Sequence, residues 1–271
     1  MTPAQDKAAR DLLTFYVEAG VDVALGETPI DRFADVAPPA PQPEAVRPAA
    51  AEPARERRPL PPPAAASAPP PPEQAVMAAR VAAKSAASLD DLRAILNSFE
   101  GCGLRATAKQ LVFGDGNPDA RVMFVGEAPG SDEDRQGVPF VGRSGQLLDK
   151  MLAAIGLPRA DVYIANIVPW RPPGNRDPAL HETQICLPFI QRQIELVDPD
   201  VLVCLGKPSS ITLLGVTDGI RKTRGRWFTF QTGSREIRAT ATFHPAYLLR
   251  TPIEKRLAWR DFLAIRKALA N

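Results

Sequence analysis

The chain is poor in the side chains that usually announce a metal centre or a stapled fold. Its 271 residues include two histidines and three cysteines. Cys102, Cys186 and Cys204 are odd in number and follow no repeating spacing, which argues against a disulfide framework. Long apolar runs are missing too. None approaches the roughly 20 residues that cross a bilayer, so no membrane association is expected. The first residues, MTPAQDKAARDLLTFY, lack a basic stretch followed by an apolar core. They do not read as a secretory signal, and the protein is expected to be cytoplasmic. Net charge is small, at +2, but the sum hides an asymmetry. Residues 1–73 carry 7 basic against 11 acidic side chains, which leaves 26 against 20 for residues 74–271. A mildly basic C-terminal part is compatible with a phosphate-backbone partner, although many soluble domains are as basic.

Proline is abundant and unevenly spread. Fourteen of the 29 lie between Val36 and Glu73, mixed with alanine and a few arginines. Proline fixes φ and removes a backbone donor, so this stretch is expected to be a solvated, partly polyproline-II tether. Before it, residues 5–19 place Ala8, Leu12, Phe15 and Ala19 on one stripe that Gly20 ends. That is a helix candidate, docking on its own domain or on a protein partner. The expected organisation is a helical segment over 1–35, a disordered Pro/Ala-rich linker over 36–74 and a globular domain over 75–271.

Within the globular part, AVMAARVAAKSAA and SLDDLRAILNSF read as helices, the second capped by Ser88 with Asp91 at the capping-box position. An alternation follows. ARVMFVG, DVYIANIVPW and DVLVCLG read as strands, SGQLLDKMLAAIGL and ALHETQICLPFIQRQIELVDP as the helices between them. GRWFTF and REIRATATF form a hairpin ending at His244, and IEKRLAWRDFLAIRKAL closes the chain. Continuous apolar strands between helices imply an α/β fold. We expect a three-layer α/β/α sandwich around a central, mainly parallel four-stranded sheet. Ligands in such folds bind beyond the carboxyl ends of the strands. The polar signals fall there.

The first is GEAPGSDEDRQGVPFVGRSGQLLD, from Gly126 to Asp149. Its glycines suit a turn in which backbone amides approach a ligand, and it is neither a P-loop nor a dinucleotide fingerprint. A plain strand-to-helix turn with solvated acids is the competing reading. The second is Asn166, an amide inside an apolar strand, which must pair internally or with a ligand edge offering donor and acceptor together. The third is His244 in TFHPAYLLR. A lone histidine is more often structural, but this one ends a strand and enters a rigid His-Pro turn. His181, near a helix start, reads as surface.

Together GEAPGSDEDRQGVPFVGRSGQLLD, NIVPWRPPGNRDP and HPAYLLR resemble the motifs of the family 4 uracil-DNA glycosylases, in order and spacing from about Leu96 to Asp261. The resemblance implies an enzyme that flips uracil out of DNA, hydrolyses its N-glycosidic bond and leaves an abasic site for base excision repair. It assigns Phe140 as the stacking platform, Asn166 as reader of the uracil edge, and Gly126 and Ala128 as backbone contacts to the base. His244 donates to the leaving uracil, with Glu127 and Glu133 as the acids near the sugar. Leu248, Leu249 and Arg250, with Arg143 and Ser144, would contact the DNA and fill the gap left by the base. Two departures matter. In the best-known uracil-DNA glycosylases an Asp activates water at the place held here by Ala128, so Glu127 is the first substitute. The family also carries a [4Fe–4S] cluster on four cysteines, but here those places read Phe99, Cys102, Trp170 and Cys186. No cofactor and no metal are therefore expected. A branch that attacks the sugar with a histidine near R-P-P is not matched, since RPPGNRDP has none. Ordinary turnover by a monomer on uracil-containing DNA follows. The alternative from another class is a catalytically inactive glycosylase fold that binds DNA or a protein partner.

Overall fold

The structure, a computed structural model, describes residues 71–270. The expected helix over 5–19 and the linker as far as residue 70 lie outside the described residues. The far end of that linker lies inside. Helix α1 (Pro72–Ser85) begins three residues before the expected domain start at residue 75. Pro72 sits in its first turn, where no intrahelical N–H is needed, and Glu73 and Lys84 complement the two ends of the helix dipole.

Four strands run parallel through the middle of the molecule: β2 (Val122–Gly126), β3 (Tyr163–Asn166), β4 (Val201–Leu205) and β6 (Glu236–Thr242). This is the expected parallel core. Each edge carries one further antiparallel strand, β1 (Asp115–Gly116) on β3 and β5 (Trp227–Gln231) on β6. The complete order is β1-β3-β2-β4-β6-β5, six strands instead of four. The hairpin β5–β6 was legible in the sequence. Two-residue β1 carries no apolar run by which to find it.

Because strand side chains alternate, the core divides into two layers. Met123, Val125, Ala165, Leu202 and Cys204 face one side, packed with α1, α2 (Leu89–Ser98) and α6 (Leu180–Val197). Val122, Phe124, Ile164, Val201 and Val203 face the other. There they meet α5 (Arg143–Ala154) and α10 (Lys255–Leu269), with the Phe124 and Phe262 rings stacked at 5.9 Å. Ser88 caps α2 as expected, its hydroxyl accepting from Asp91 N–H at 3.1 Å. The reciprocal carboxylate bond reaches back to Ala87 N–H, one residue before the cap. Short elements that the sequence reading left as loops are α3 (Leu104–Thr107), α4 (Ser131–Gln136), α8 (Ile220–Thr223) and α9 (Pro245–Arg250), whereas α7 (Lys207–Leu214) follows the helical reading of SSITLLG and starts two residues earlier.

Helix α1 presents Ala75, Ala79 and Ala83 to the core, all buried, and packs along α6. Alanine at this spacing leaves room only for close helix approach. Ala79→Leu is expected to overpack this contact and lower folding stability by about 1–3 kcal/mol. Val81→Ala, at a position 70% exposed, should change it by less than about 0.5 kcal/mol. Urea melts of the two variants provide the comparison.

Candidate active site

The parallel register sets Gly126, at the end of β2, beside Asn166, at the end of β3. Asn166 is buried, and its Oδ1 is the buried side-chain polar atom that finds no hydrogen-bond partner among the described residues. An orphan acceptor of this kind costs stability unless a ligand supplies a donor. Gly126 has no side chain because none fits. A Cβ there would collide with Asn166 Oδ1 and lie 2.7 Å from Phe140 Cζ. The amide and the ring therefore close over bare backbone.

Phe140 takes a positive φ of 52°, unfavourable for a bulky side chain. Its surroundings over-determine that geometry. Arg159 donates to Phe140 O at 3.1 Å and to Pro139 O at 2.6 Å, while Asp149 and Asp115 anchor the same guanidinium at 2.9 and 2.5 Å. The Phe140 carbonyl rests against Gly145 of α5, so closely that a Cβ at Gly145 would overlap it. The ring faces His244, with centroids 5.4 Å apart.

The acidic run between them is ordered. Glu133 is buried on α4, and its two oxygens accept from Gly130 N–H at 3.1 Å, Val141 N–H at 3.0 Å and Gly142 N–H at 2.9 Å. Glu133 lines the cleft as expected, and these bonds give it a bracing part that the sequence reading did not foresee. Its carboxylate is occupied in bracing the turn, because three otherwise unpaired loop amides converge on it. Asp134 does the same for another segment, accepting from Lys109 N–H at 2.8 Å. Glu127 is different. It is half-buried, lines the cleft, and its carboxylate has no hydrogen-bond partner among the described residues. Desolvation, helped by the charge of Asp177, raises its pKa to about 6.

His244 caps α9, its Nδ1 accepting from Ala246 N–H at 3.1 Å. That bond places the proton of the neutral ring on Nε2. Desolvation, followed by the positive charge of Arg250, lowers its pKa to about 4. Between pH 6.5 and 4 the unfolded chain therefore binds a proton that the folded site refuses, and this residue makes acid destabilising.

The HPAYLLR segment is helix α9 and not a loop, which splits the three residues expected to touch DNA. Leu248 points inward and is fully buried against Phe243 and Ala258. It is core, and its expected part as a DNA wedge is corrected. Leu249 is 37% exposed, and Arg250 is exposed at the rim of the cleft. Ser144 and Ala128 also line the cleft, whereas Arg143 is exposed outside its lining. The cleft measures about 620 Å³ and gathers Glu127, Phe140, Asn166 and His244. It adds Arg176, Asp177, Lys207 and Tyr247, which the sequence reading did not single out. Their signal was positional: each lies in a segment that follows the carboxyl end of a strand.

The four places of an iron–sulfur cluster do not fit one. Cys102 and Cys186 are buried, and the interaction of their thiols pulls Cys102 down and pushes Cys186 well up. Phe99 stands edge-on to Phe189 at 4.9 Å, and Trp170 is buried. Two thiols beside two packed aromatic rings cannot supply the four thiolates that a cluster needs. Among the described residues no group of three or more His, Cys, Asp or Glu is placed to hold a metal ion.

Comparison with known proteins bears on the same residues. The uracil DNA glycosylase superfamily profile matches residues 113–263. The chain is 41% identical over 182 residues to the type-4 uracil-DNA glycosylase of Archaeoglobus fulgidus, spanning 66% of this chain and 92% of the relative. It is 38% identical to that of Saccharolobus solfataricus, over 68% of this chain and 88% of the relative. Against that of Thermotoga maritima the identity is 45%, over 55% of this chain and 77% of the relative.

The close approach at Gly126 is testable without any substrate. Gly126→Ala must push Asn166 or Phe140 aside, and the expected loss of folding stability is about 1–3 kcal/mol, read from urea melts. An unchanged midpoint would mean that the three groups do not close as described.

Proposed function

The chain belongs to the uracil DNA glycosylase superfamily as a type-4 member, and from that premise we propose that it is a monofunctional uracil-DNA glycosylase that starts base excision repair. The unpaired Asn166 Oδ1, buried in the cleft, carries the reading. Uracil turned out of the helix offers N3–H to that oxygen and O4 to the Asn166 amide donor. Cytosine offers an acceptor at N3 and a donor at its exocyclic amine, and leaves both amide atoms mispaired. Base flipping is needed because the scissile bond is unreachable in the stack. Phe140 supplies the stacking surface.

The chemistry follows from the two shifted groups. As the bond between uracil N1 and the sugar C1′ breaks, its electrons pass to the base and charge gathers on uracil O2. His244, neutral and protonated at Nε2, donates to that oxygen and stabilises the leaving anion. The sugar is left electron-poor at C1′. Ionised Glu127 stabilises that centre and takes a proton from the water that attacks it, giving the abasic sugar. Glu133 acts at a distance, by holding the loop that carries Phe140. Leu249 and Arg250 are the residues of α9 placed to meet DNA. No histidine stands in RPPGNRDP to capture the sugar, which supports release of product by water. A cofactor plays no part in this reading, since two thiols and two aromatic rings occupy the places a cluster would need. No helix among the described residues is long and apolar enough to cross a membrane.

The site residues are tested by single-turnover excision from oligonucleotides containing U:G, U:A or single-stranded U. His244→Ala should slow excision by about 10²–10³-fold, the scale for losing one donor to a developing oxyanion. Asn166→Asp should also fail on uracil, since an ionised carboxylate cannot donate to O4 and repels the forming anion. Wild-type rates in both folded variants would move the site elsewhere.

The pH profile tests Glu127 separately. With its pKa near 6, excision should rise by about tenfold per pH unit below that value and level off above it. Glu127→Gln should lower the plateau and abolish the acid limb. A limb near pH 6 that survives in the variant would assign the base to another group.

A further inference from the structure

We propose that a second cleft, at the opposite end of α4 from Asn166, binds a backbone phosphodiester of the same DNA strand, within about three nucleotides of the excised base. The inference rests on the glycosylase reading for its ligand, and on an independent set of residues for its site. This cleft measures about 560 Å³, and Arg93, Arg105 and Lys109 line it without any acidic side chain.

The three cations are held in distinct ways. The Arg93 guanidinium stacks on the Phe113 ring at 5.1 Å. Arg105 donates from Nε and Nη2 to Asn97 O, at 3.1 and 2.7 Å, which fixes its fork. Among the described residues its charge meets one carboxylate, that of Glu100, at 4.0 Å and almost fully exposed. Lys109 is exposed, and neither it nor Arg93 has a carboxylate partner within ion-pair distance among the described residues. The nearest buried acid, Asp134, is spent on the backbone N–H groups of Lys109 and Gln110, with Arg171 3.8 Å from its other oxygen. Gln110 Nε2 caps Arg135 O and so covers the carbonyl end of α4, which would otherwise repel an anion. Three cations on one concave wall, of which only Arg105 meets a carboxylate among the described residues, repel one another, and an anion relieves that repulsion. A fixed guanidinium fork beside an ammonium is the pairing that suits a phosphate.

The position chooses the source of the phosphate. Gly130, before α4, lines the uracil cleft, and Gly137, after it, lines the basic one. Seven residues at 1.5 Å each separate the two by about 10 Å. The segment after β3 joins them as well, with Pro172 in the first cleft and Trp170 in the second. A strand in duplex DNA rises about 3.4 Å per nucleotide, so 10 Å is at most about three nucleotides and fewer where the strand is extended. A strand that places uracil on Asn166 passes this cleft with its backbone.

The test uses the full chain and a double variant, Arg93→Gln with Lys109→Gln. The substrates are single-stranded oligonucleotides with one uracil and either one or eight nucleotides on each side. For the long substrate, KM is expected to rise about five- to tenfold in the variant with kcat unchanged. The slope of log KM against log salt should fall by about 0.7 for each phosphate that the variant no longer neutralises. On the short substrate the two proteins should match. An unchanged salt slope, or an equal rise in KM on both substrates, would overturn the proposal. So would tight calorimetric binding of inorganic phosphate that the variant loses without any flank dependence, since the cleft would then serve a free anion. Effects confined to binding an acidic peptide would likewise assign it to a protein partner. If the wild type released no uracil at all, the glycosylase reading would fail. Salt-dependent binding of the long oligonucleotide by the two proteins would still judge the cleft.

Discussion

Everything in the catalytic cleft is arranged around a missing atom. Because Gly126 has no Cβ, the Asn166 amide and the Phe140 ring can meet at the end of β2. The parallel pairing of β2 with β3 fixes Asn166 at that point, and the fit depends on strand register. Phe140 arrives from the other side with a strained backbone. It stays because Arg159 holds its carbonyl, Gly145 leaves space behind it, and Glu133 ties down the residues that follow. The polar residues of the loop thus serve mainly to make one unfavourable conformation the only one available.

The two aromatic residues at the cluster places illustrate how a fold keeps its shape when a structural group is replaced. A cluster would tie the segment before α3, the segment after β3 and α6 together by covalent bonds. Here the same three segments meet through Phe99 against Phe189, buried Trp170, and the buried Cys102 and Cys186 in the same core cluster. Burial of aromatic surface supplies cohesion without requiring metal. It also leaves the neighbouring surface to other uses, and the wall of Arg93, Arg105 and Lys109 lies against Trp170.

Much of this was legible in the residues, and the failures share a cause. Long periodic segments announced themselves, so the parallel core and its flanking helices were expected within a few residues. Gly126, Phe140, Asn166 and His244 stood out because each is the wrong kind of residue for its neighbourhood unless it does something. The misses were short elements and directions. A six-residue helix such as α4 has too few residues to show a period, so the sequence ranked Glu127 ahead of Glu133 by place in the turn alone. The structure adds the physical difference: the oxygens of Glu133 are filled by backbone donors, and those of Glu127 are not. Likewise Leu248 and Leu249 are indistinguishable in sequence, yet adjacent positions on a helix point about 100° apart, and one of them faces the core.

Glu127 and His244 show why burial of this site matters chemically. Desolvation favours the neutral form of both, so it raises the pKa of the acid to about 6 and lowers that of the base to about 4. The order of the two groups is thereby inverted relative to their ordinary values of 4.5 and 6.5. Above pH 6 the acid is ionised and the imidazole neutral, which is the pair that the proposed hydrolysis uses. Between about 4 and 6 both are neutral, and in the proposed mechanism the base is lost while the donor is kept. At no pH above 4 does a cationic imidazole predominate beside Arg250, so the arginine can remain at the rim to meet phosphate. Exclusion of water from the end of the sheet is the largest cause of both shifts, and the charges of Asp177 and Arg250 push the same two groups further in the same directions.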